Sequence, residues 1–178
     1  MEVIILIRQA IEKDAIQIAE LIVKGWQTAY KGLIDETFLK NLSTEKISKN
    51  FKQSIISQNT ENNIYVYEEN GKILGIIRFG KPDDNTDNKH NSEIHVLYVE
   101  PDLKRKGIGT KLFKYAKKYF INQEKQKLII WCLKGNELAI RFYEKMGGQI
   151  VSERKTTVNN IEVEEVGLEY RLPDGLVN

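Results

Sequence analysis

The order of apolar segments along this chain predicts an α+β domain with a mixed, mostly antiparallel sheet of about seven strands, flanked by about four helices. Three observations carry the prediction. Short apolar runs recur between turn residues, apolar residues at helical spacing separate several of them, and Asn-Gly or Asn-Asn pairs join neighbouring runs. The predicted order is β-α-α-β-β-β-α-β-α-β-β. We assign residues 1–172 to this single domain and 173–178 to a short C-terminal tail.

Each strand is predicted from a short apolar run with polar or turn-forming residues at its ends. The predicted strands are residues 3–9, 63–67, 72–79, 93–99, 127–133, 148–157 and 160–171. Asn70-Gly71, between the second and third runs, favours the tight turn of a β-hairpin. The polar segment 81–92 is expected to form a long exposed loop.

Each helix is predicted from apolar residues that recur every three or four positions. The predicted helices are residues 12–30, 44–58, 107–122 and 136–146. Ser43 or Thr44 is expected to cap the second helix. Asn136 is a good N-cap for the fourth, and Gly147 suits its C-terminal end.

Composition excludes several classes of function. The 27 basic and 25 acidic side chains leave a net charge of +2, so the chain has no global field for nucleic acid or an anionic membrane. No apolar run approaches the roughly 18 residues of a membrane span, and the N-terminal segment has the pattern of a strand rather than a signal peptide. The single Cys132 is expected to be a small buried side chain, which fits a cytoplasmic protein. Two histidines and one cysteine show no zinc spacing, so no metal is expected.

The segment 97–110 joins a strand end, a basic turn and a helix start. Its members are Leu97, Tyr98, Val99, then Lys104, Arg105, Lys106, and then Gly107, Ile108, Gly109 and Thr110. Amides at a helix start lack intrahelical acceptors and carry the positive end of the helix dipole. Glycine lets a ligand approach that backbone closely. The segment therefore predicts an anion site, most naturally for phosphate, with an ordinary loop as the alternative.

Two common phosphate patterns do not fit this turn. A P-loop requires G-x-x-x-x-G-K-[ST], with four residues between its glycines, whereas only one residue separates Gly107 from Gly109. The dinucleotide fingerprint requires a third glycine, where this chain has Leu112. The predicted phosphate site is therefore of another kind.

A second segment, 136–147, follows the apolar strand 127–133, and the two segments together resemble the GNAT superfamily of acyl-CoA-dependent N-acyltransferases. The family turn [QR]-x-x-G-x-[GA] matches residues 104–109. The family helix N-x-x-A-x-x-F-Y-x-x-x-G-F is matched by Asn136, Ala139, Phe142, Tyr143 and Gly147. Two positions depart: Lys104 replaces Gln or Arg, and Gly148 replaces the final Phe, which is expected to loosen packing after the helix. The resemblance covers about residues 5–171.

The resemblance implies a GNAT-like fold and an N-acetyltransferase. Such an enzyme moves an acetyl group from acetyl-CoA to a primary amine of a small molecule or peptide, by direct attack in a ternary complex. The residues expected at acetyl-CoA are Leu97, Tyr98, Val99, Lys104, Arg105, Lys106, Gly107, Ile108, Gly109, Thr110, Asn136, Ala139, Phe142 and Tyr143. The main chain of 97–99 would meet the pantetheine arm, and the amides of 106–110 the pyrophosphate.

Three residues are candidates for the chemistry. Tyr143 matches the family's acid, whose hydroxyl approaches the CoA sulfur; the alternative is a packed aromatic side chain. Glu93 stands where family members often carry a base that acts through water. His95 lies on the same strand face, with an ordinary pKa near ~6.5. We favour Glu93, with His95 second; each has the alternative of a polar residue at a strand edge.

The acceptor and the partners are less constrained. Trp26 and Tyr30 lie on one helix face and are expected to line the acceptor pocket, with core packing an equal contender. The resemblance allows polyamines, amino-sugar antibiotics, amino acids or protein N-termini as acceptors. No dense acidic cluster singles out a polycationic acceptor, although glutamates on the last strands could contribute to one; they are Glu162, Glu164, Glu165 and Glu169. A homodimer through the hairpin 148–171 is expected because that hairpin exposes strand edges.

Two other classes of function compete. One is a non-catalytic acyl-CoA-binding module, against which the intact Asn136 and Tyr143 argue. The other is a nucleic-acid binder that uses the basic segment 104–127. Near-neutral overall charge argues against it. Neither nucleic acid nor a membrane is an expected partner.

Overall fold

The computed structural model describes residues 4–83, 90–158 and 160–173. Its strands are β1 Ile5–Gln9, β2 Asn62–Glu69, β3 Lys72–Gly80, β4 Ser92–Val99, β5 Lys127–Leu133, β6 Gln149–Val158 and β7 Ile161–Arg171. Its α-helices are α1 Ala15–Ala29, α2 Glu36–Lys40, α3 Thr44–Ile56, α4 Ile108–Asn122 and α5 Glu137–Lys145. Short 3₁₀ helices occupy Glu12–Asp14 and Pro101–Leu103.

The strands form one mixed sheet in the order β1-β2-β3-β4-β5-β7-β6, which confirms the predicted fold class. β4 and β5 are parallel, whereas β1–β2, β2–β3, β5–β7 and β6–β7 are antiparallel pairs. The ladder between β4 and β5 runs from Ser92 to Ile94, so it leaves out the main chain of residues 97–99.

The described residues fall into two compact units. The first holds those of Met1–Gly80 and Val96–Ala116, and the second those of Lys81–His95 and Lys117–Asn178. The core of the first unit contains fully buried side chains from α1, β2 and β3, among them Ile18, Ile64 and Ile76. In the second unit β5 and β7 pair through buried residues, among them Leu128 with Tyr170 and Ile130 with Leu168.

The short helix α2 is absent from the sequence prediction. The residue in the sequence that marks the start of this helix is Asp35. Its carboxylate accepts a hydrogen bond from the amide of Phe38 at 2.8 Å and so caps the helix. The helix has only five residues, too few to show the repeated apolar spacing on which the prediction relied. Ser43 caps α3 as expected, accepting from the amide of Lys46 at 3.1 Å.

The turn predictions are confirmed where the structure describes them, with one exception. Asn70 and Gly71 have φ of 51° and 81°, as a tight hairpin turn requires. The exposed loop predicted over 81–92 is wrong at its end. His90 is buried, and Ser92 already belongs to β4. Residues 84–89 of that loop, Asn159 of the second hairpin and residues 174–178 of the predicted tail lie outside the described residues.

The expected loosening after α5 is also wrong. A side chain on Gly148 would collide with the ring of Tyr170, so the space is already filled. Within the described ranges, no helix is both long enough and apolar enough to span a membrane.

Candidate active site

The predicted phosphate turn lies between β4 and α4 in the first unit. The amide of Glu100 donates to the carbonyl of Leu74 at 2.9 Å, and its carboxylate lies 3.2 Å from Lys24 Nζ. These contacts fix the point at which the chain leaves β4. Beyond it, Arg105 and Gly107 have φ of 66° and 81°, and this left-handed backbone turns the chain into the helix.

The start of α4 presents unpaired amides. Lys111 is the first residue of this helix whose amide has a backbone acceptor, the carbonyl of Gly107 at 3.0 Å. In the part of the chain that the structure describes, the amides of Ile108, Gly109 and Thr110 have none, whereas that of Lys106 donates to Leu103 at 3.4 Å. A Cβ on Gly107 would meet no atom within 4 Å. The turn therefore offers three amides and open space to an anion, and the basic side chains of 104–106 are exposed beside it.

The two acceptor candidates lie together on α1 and its C-cap. The rings of Trp26 and Tyr30 meet edge to face with centroids 5.2 Å apart. The ring centroid of Phe38 on α2 lies 6.3 Å from that of Trp26. The hydroxyl of Tyr30 lies 2.9 Å from that of Tyr98 on β4. Tyr98, which was predicted to serve through its main chain, therefore also joins this aromatic cluster through its side chain.

Gly25 makes that contact possible, and the sequence analysis missed it. A Cβ at this position would lie 2.6 Å from Cδ1 of Tyr98. Glycine in a helix interior costs about 1 kcal/mol relative to alanine. An isolated glycine within the predicted helix is the signal that indicates such a close approach.

Both candidate bases lie on β4 within the second unit, and the structure brings them together. Nδ1 of His95 is 3.3 Å from Oε1 of Glu93 and 3.3 Å from Oδ2 of Asp83. The side chains of His95 and Glu93 are each 7% exposed, whereas that of Asp83 is 72% exposed. Neither carboxylate is aligned for a hydrogen bond, so Nδ1 is buried without a hydrogen-bond partner among the described residues and the contacts are ionic.

The two carboxylates decide the charge of His95. Burial lowers the pKa of this imidazole, but the neighbouring Asp83 and Glu93 raise it by more, to about 9. The two carboxylates act in this direction because a nearby negative charge favours the protonated imidazole. His95 is therefore protonated at neutral pH. Asp83 was missed by the sequence analysis because it stands in a polar loop without any motif.

The helix α5 carries the remaining predicted residues. Asn136 caps it by accepting a hydrogen bond from the amide of Ala139 at 3.3 Å, so this asparagine has a clear structural role. The rings of Phe142 and Tyr143 meet edge to face with centroids 5.2 Å apart, and Tyr143 is buried.

The single cysteine lies on β5. Burial, followed by the charge of Glu165, raises the pKa of the Cys132 thiol to about 12, which fits an unreactive side chain.

The glutamates of the last strands already have cationic partners. Each lies within 4 Å of at least one basic side chain: Glu162 of Lys155, Glu164 of Lys134, Glu165 of Arg154, and Glu169 of Lys127 and His90. They therefore offer little uncompensated charge to a polycationic acceptor. Within the described residues, no group of three or more His, Cys, Asp or Glu side chains is arranged to hold a metal ion.

Known proteins resemble this chain in sequence. The family model described as the acetyltransferase (GNAT) family matches residues 26–148. An uncharacterized N-acetyltransferase of Methanocaldococcus jannaschii is 32% identical over 88 residues, 49% of this chain, and the match spans only 39% of that protein. A probable N-acetyltransferase of Mycobacterium tuberculosis is 27% identical over 168 residues, 93% of this chain and 92% of that protein.

Solved structures show the same fold. The PaiA N-acetyltransferase of Thermoplasma acidophilum, in complex with coenzyme A, superposes with a TM-score of 0.77. The superposition covers 94% of this chain and 99% of that one at 20% sequence identity.

Proposed function

Since the chain belongs to the acetyltransferase (GNAT) family, we propose that it is an N-acyltransferase that moves an acetyl group from acetyl-CoA to a primary amine. The acceptor is a small molecule or a peptide, and the amine attacks directly in a ternary complex. The observation that carries the proposal is the start of α4. There, three unpaired amides and the open space beside Gly107 form an anion site within the matched range.

The first unit supplies the phosphate turn and the main-chain contacts to the pantetheine arm in this proposal. The amides of Ile108, Gly109 and Thr110 hold the pyrophosphate, and the exposed Lys104, Arg105 and Lys106 add positive charge. The main-chain groups of residues 97–99, which lie outside the β4–β5 ladder, pair with the pantetheine arm. Asn136, Ala139 and Phe142 complete the cofactor set carried over from the family pattern, with Asn136 acting through the capped start of α5.

The second unit supplies the proton transfers. When bound, acetyl-CoA supplies an activated acetyl thioester and a thiolate leaving group. Glu93 removes a proton from the ammonium form of the acceptor, directly or through water, so that the neutral amine can attack. A protonated His95 has no lone pair on Nδ1 for this role. Tyr143 donates its phenolic proton to the departing sulfur. Protonated His95 stays beside Glu93 and positions its carboxylate.

The acceptor is proposed to lie against the aromatic cluster of Trp26, Tyr30 and Tyr98. Acceptor classes remain those of small amines and peptides, and the paired state of the C-terminal glutamates makes a polycation the weaker choice.

We also propose a cytoplasmic homodimer in which the edge strand β6 pairs with a second copy; β6 exposes Ile150 and Val151. Light scattering at working concentration distinguishes this dimer from a monomer.

A panel of amines with acetyl-CoA, read by release of free CoA thiol, tests the activity. Amine-dependent thiol release with an acetylated product supports it. Binding of acetyl-CoA without turnover on any amine would instead support the non-catalytic acyl-CoA-binding module, and oligonucleotide binding with a steep salt dependence would support the nucleic-acid binder.

A further inference from the structure

The backbone carbonyl of Tyr143 accepts three hydrogen bonds near the C-terminal end of α5. Two come from the amides of Met146 and Gly148, at 3.1 and 3.0 Å. The third comes from the phenol of Tyr170 on β7, which donates at 2.8 Å. A carbonyl oxygen has two lone pairs, so three donors engage this group completely.

The amide bonds end the helix locally. The amide of Gly147, whose φ is 96°, donates to Glu144 at 2.9 Å, while that of Gly148 reaches back to Tyr143. This is the Schellman pattern, and it requires a residue that tolerates a left-handed backbone at position 147. The pattern fixes where the chain leaves α5, but it does not attach the helix to the sheet.

Tyr170 provides that attachment. Its side chain is 2% exposed, and the residue pairs with Leu128 in the β5–β7 ladder. Burial, followed by the charge of Cys132, raises the pKa of Tyr170 above its ordinary value, so the phenol stays protonated and able to donate. Separating a buried donor from its acceptor costs more free energy than separating an exposed one, because the buried donor cannot bond to water instead. This hydrogen bond therefore resists displacement.

Gly148 leaves the room that Tyr170 needs. A Cβ at position 148 would lie 2.7 Å from both Cζ and the hydroxyl oxygen of Tyr170, and 3.0 Å from the carbonyl oxygen of Tyr143. A larger residue at position 148 therefore cannot coexist with this hydrogen bond. The departure of Gly148 from the family pattern and the buried hydroxyl of Tyr170 are two parts of one arrangement.

We propose that Tyr170 is a positioning residue for the phenol of Tyr143. Its hydroxyl holds the backbone from which that phenol projects, and Gly148 admits it. The proposal rests on the proposed function, in which Tyr143 is the acid. Removing the Tyr170 hydroxyl frees the helix end to shift, and a small displacement of an acid lowers turnover more than it lowers substrate affinity.

A double-mutant cycle on the full-length protein tests this. Tyr170→Phe is expected to lower kcat about 3- to 10-fold and to change the KM for acetyl-CoA less than about twofold. The double variant with Tyr143→Phe should be no slower than Tyr143→Phe alone, because the group that Tyr170 positions is already gone. Tyr65→Phe is the matched control. It removes the phenol of a ring in the first unit whose centroid lies 4.8 Å from that of Tyr115, and it should keep the wild-type kcat.

The outcomes separate the two proposals. If the two losses multiply in the double variant, Tyr170 acts independently of the Tyr143 phenol and the inference is overturned. If Tyr143→Phe lowers kcat while Tyr170→Phe does not, the inference fails and the proposed function stands. If Tyr143→Phe keeps the wild-type kcat, the acid assignment fails, and the inference with it. Should Tyr170→Phe not fold, Gly148→Ala displaces the same phenol and must show the same non-additivity.

Discussion

Nδ1 of His95 lies 3.3 Å from Oε1 of Glu93, and both side chains are almost completely buried. Together with Asp83, the glutamate raises the pKa of His95 to about 9 against the lowering effect of burial. At neutral pH His95 is therefore an imidazolium next to Glu93. The pair is the basis on which we propose different roles for two residues that the sequence alone left as rivals for the base.

Glu93→Gln is expected to lower turnover at neutral pH by about 10²- to 10⁴-fold, because glutamine keeps the shape of the side chain but cannot take a proton. The loss should shrink at high pH, where the acceptor amine is already neutral. Rate–pH profiles on one acceptor measure this. His95→Gln is the comparison and should keep the shape of the acidic limb. The opposite result, with Glu93→Gln at wild-type rates and His95→Gln impaired, would pass the base to His95.

The stability of the protein should fall at alkaline pH because of His95. A folded-state pKa of about 9 exceeds the ordinary 6.5, so the stabilisation is complete below about pH 6.5 and is lost as pH rises through 9. The shift corresponds to roughly 3 kcal/mol in the free energy of unfolding. Urea unfolding from pH 6 to 10 measures it.

Two variants check the origin of that pH dependence. Relative to wild type, His95→Gln should flatten the alkaline decline, and Asp83→Asn should shift it to lower pH by removing one of the two carboxylates. An unchanged decline in His95→Gln would show that another group causes it.

Acetyl-CoA should raise the melting temperature of the wild type without added metal. At a hundredfold excess over Kd the stabilisation is about 2.7 kcal/mol. Gly107→Glu should abolish it by placing bulk and negative charge at the phosphate turn. Gly71→Glu is a matched control. Gly71 has the same φ of 81° and equally open space, but it lies in the β2–β3 turn. The phosphate turn is misplaced if both variants keep the full ligand-dependent shift.

Tyr143→Phe should bind acetyl-CoA with nearly wild-type affinity and turn over about 10²-fold more slowly, since the hydroxyl is needed only when charge reaches the sulfur. Affinity from calorimetry and kcat from thiol release give the two quantities. Equal losses in both would indicate that this ring serves packing instead.

Gly25→Ala should destabilise the protein by about 1–3 kcal/mol, although alanine is the better helix former. Its methyl group would lie 2.6 Å from the ring of Tyr98. Combining it with Tyr98→Ala should remove the penalty, because the clash partner is absent. Thermal unfolding of the two single variants and the double variant measures the coupling. Simple additivity would show that the two residues do not meet as described.

Local sequence signals specify most of the helices, strands and turns. Asn70-Gly71 specifies its turn through the positive φ that both residues adopt, and Ser43 and Asn136 begin their helices by accepting nearby amides. The unpaired amides at the start of α4 were predictable for the same reason, because the geometry of any helix start leaves its first amides without intrahelical acceptors. Each of these properties depends on residues close together in the sequence.

Contacts between distant residues decided the rest. The sequence placed His95 and Glu93 on one strand face, but it did not show that Asp83 approaches them. Asp83 and Glu93 together raise the pKa of His95 by more than burial lowers it, and this keeps His95 protonated. Likewise, the sequence alone indicated that Gly148 loosens the packing after α5. The structure instead places Tyr170 of β7 against Gly148. A side chain's charge state and the space around it depend on neighbours that the fold brings together from distant parts of the chain, and no local pattern encodes them.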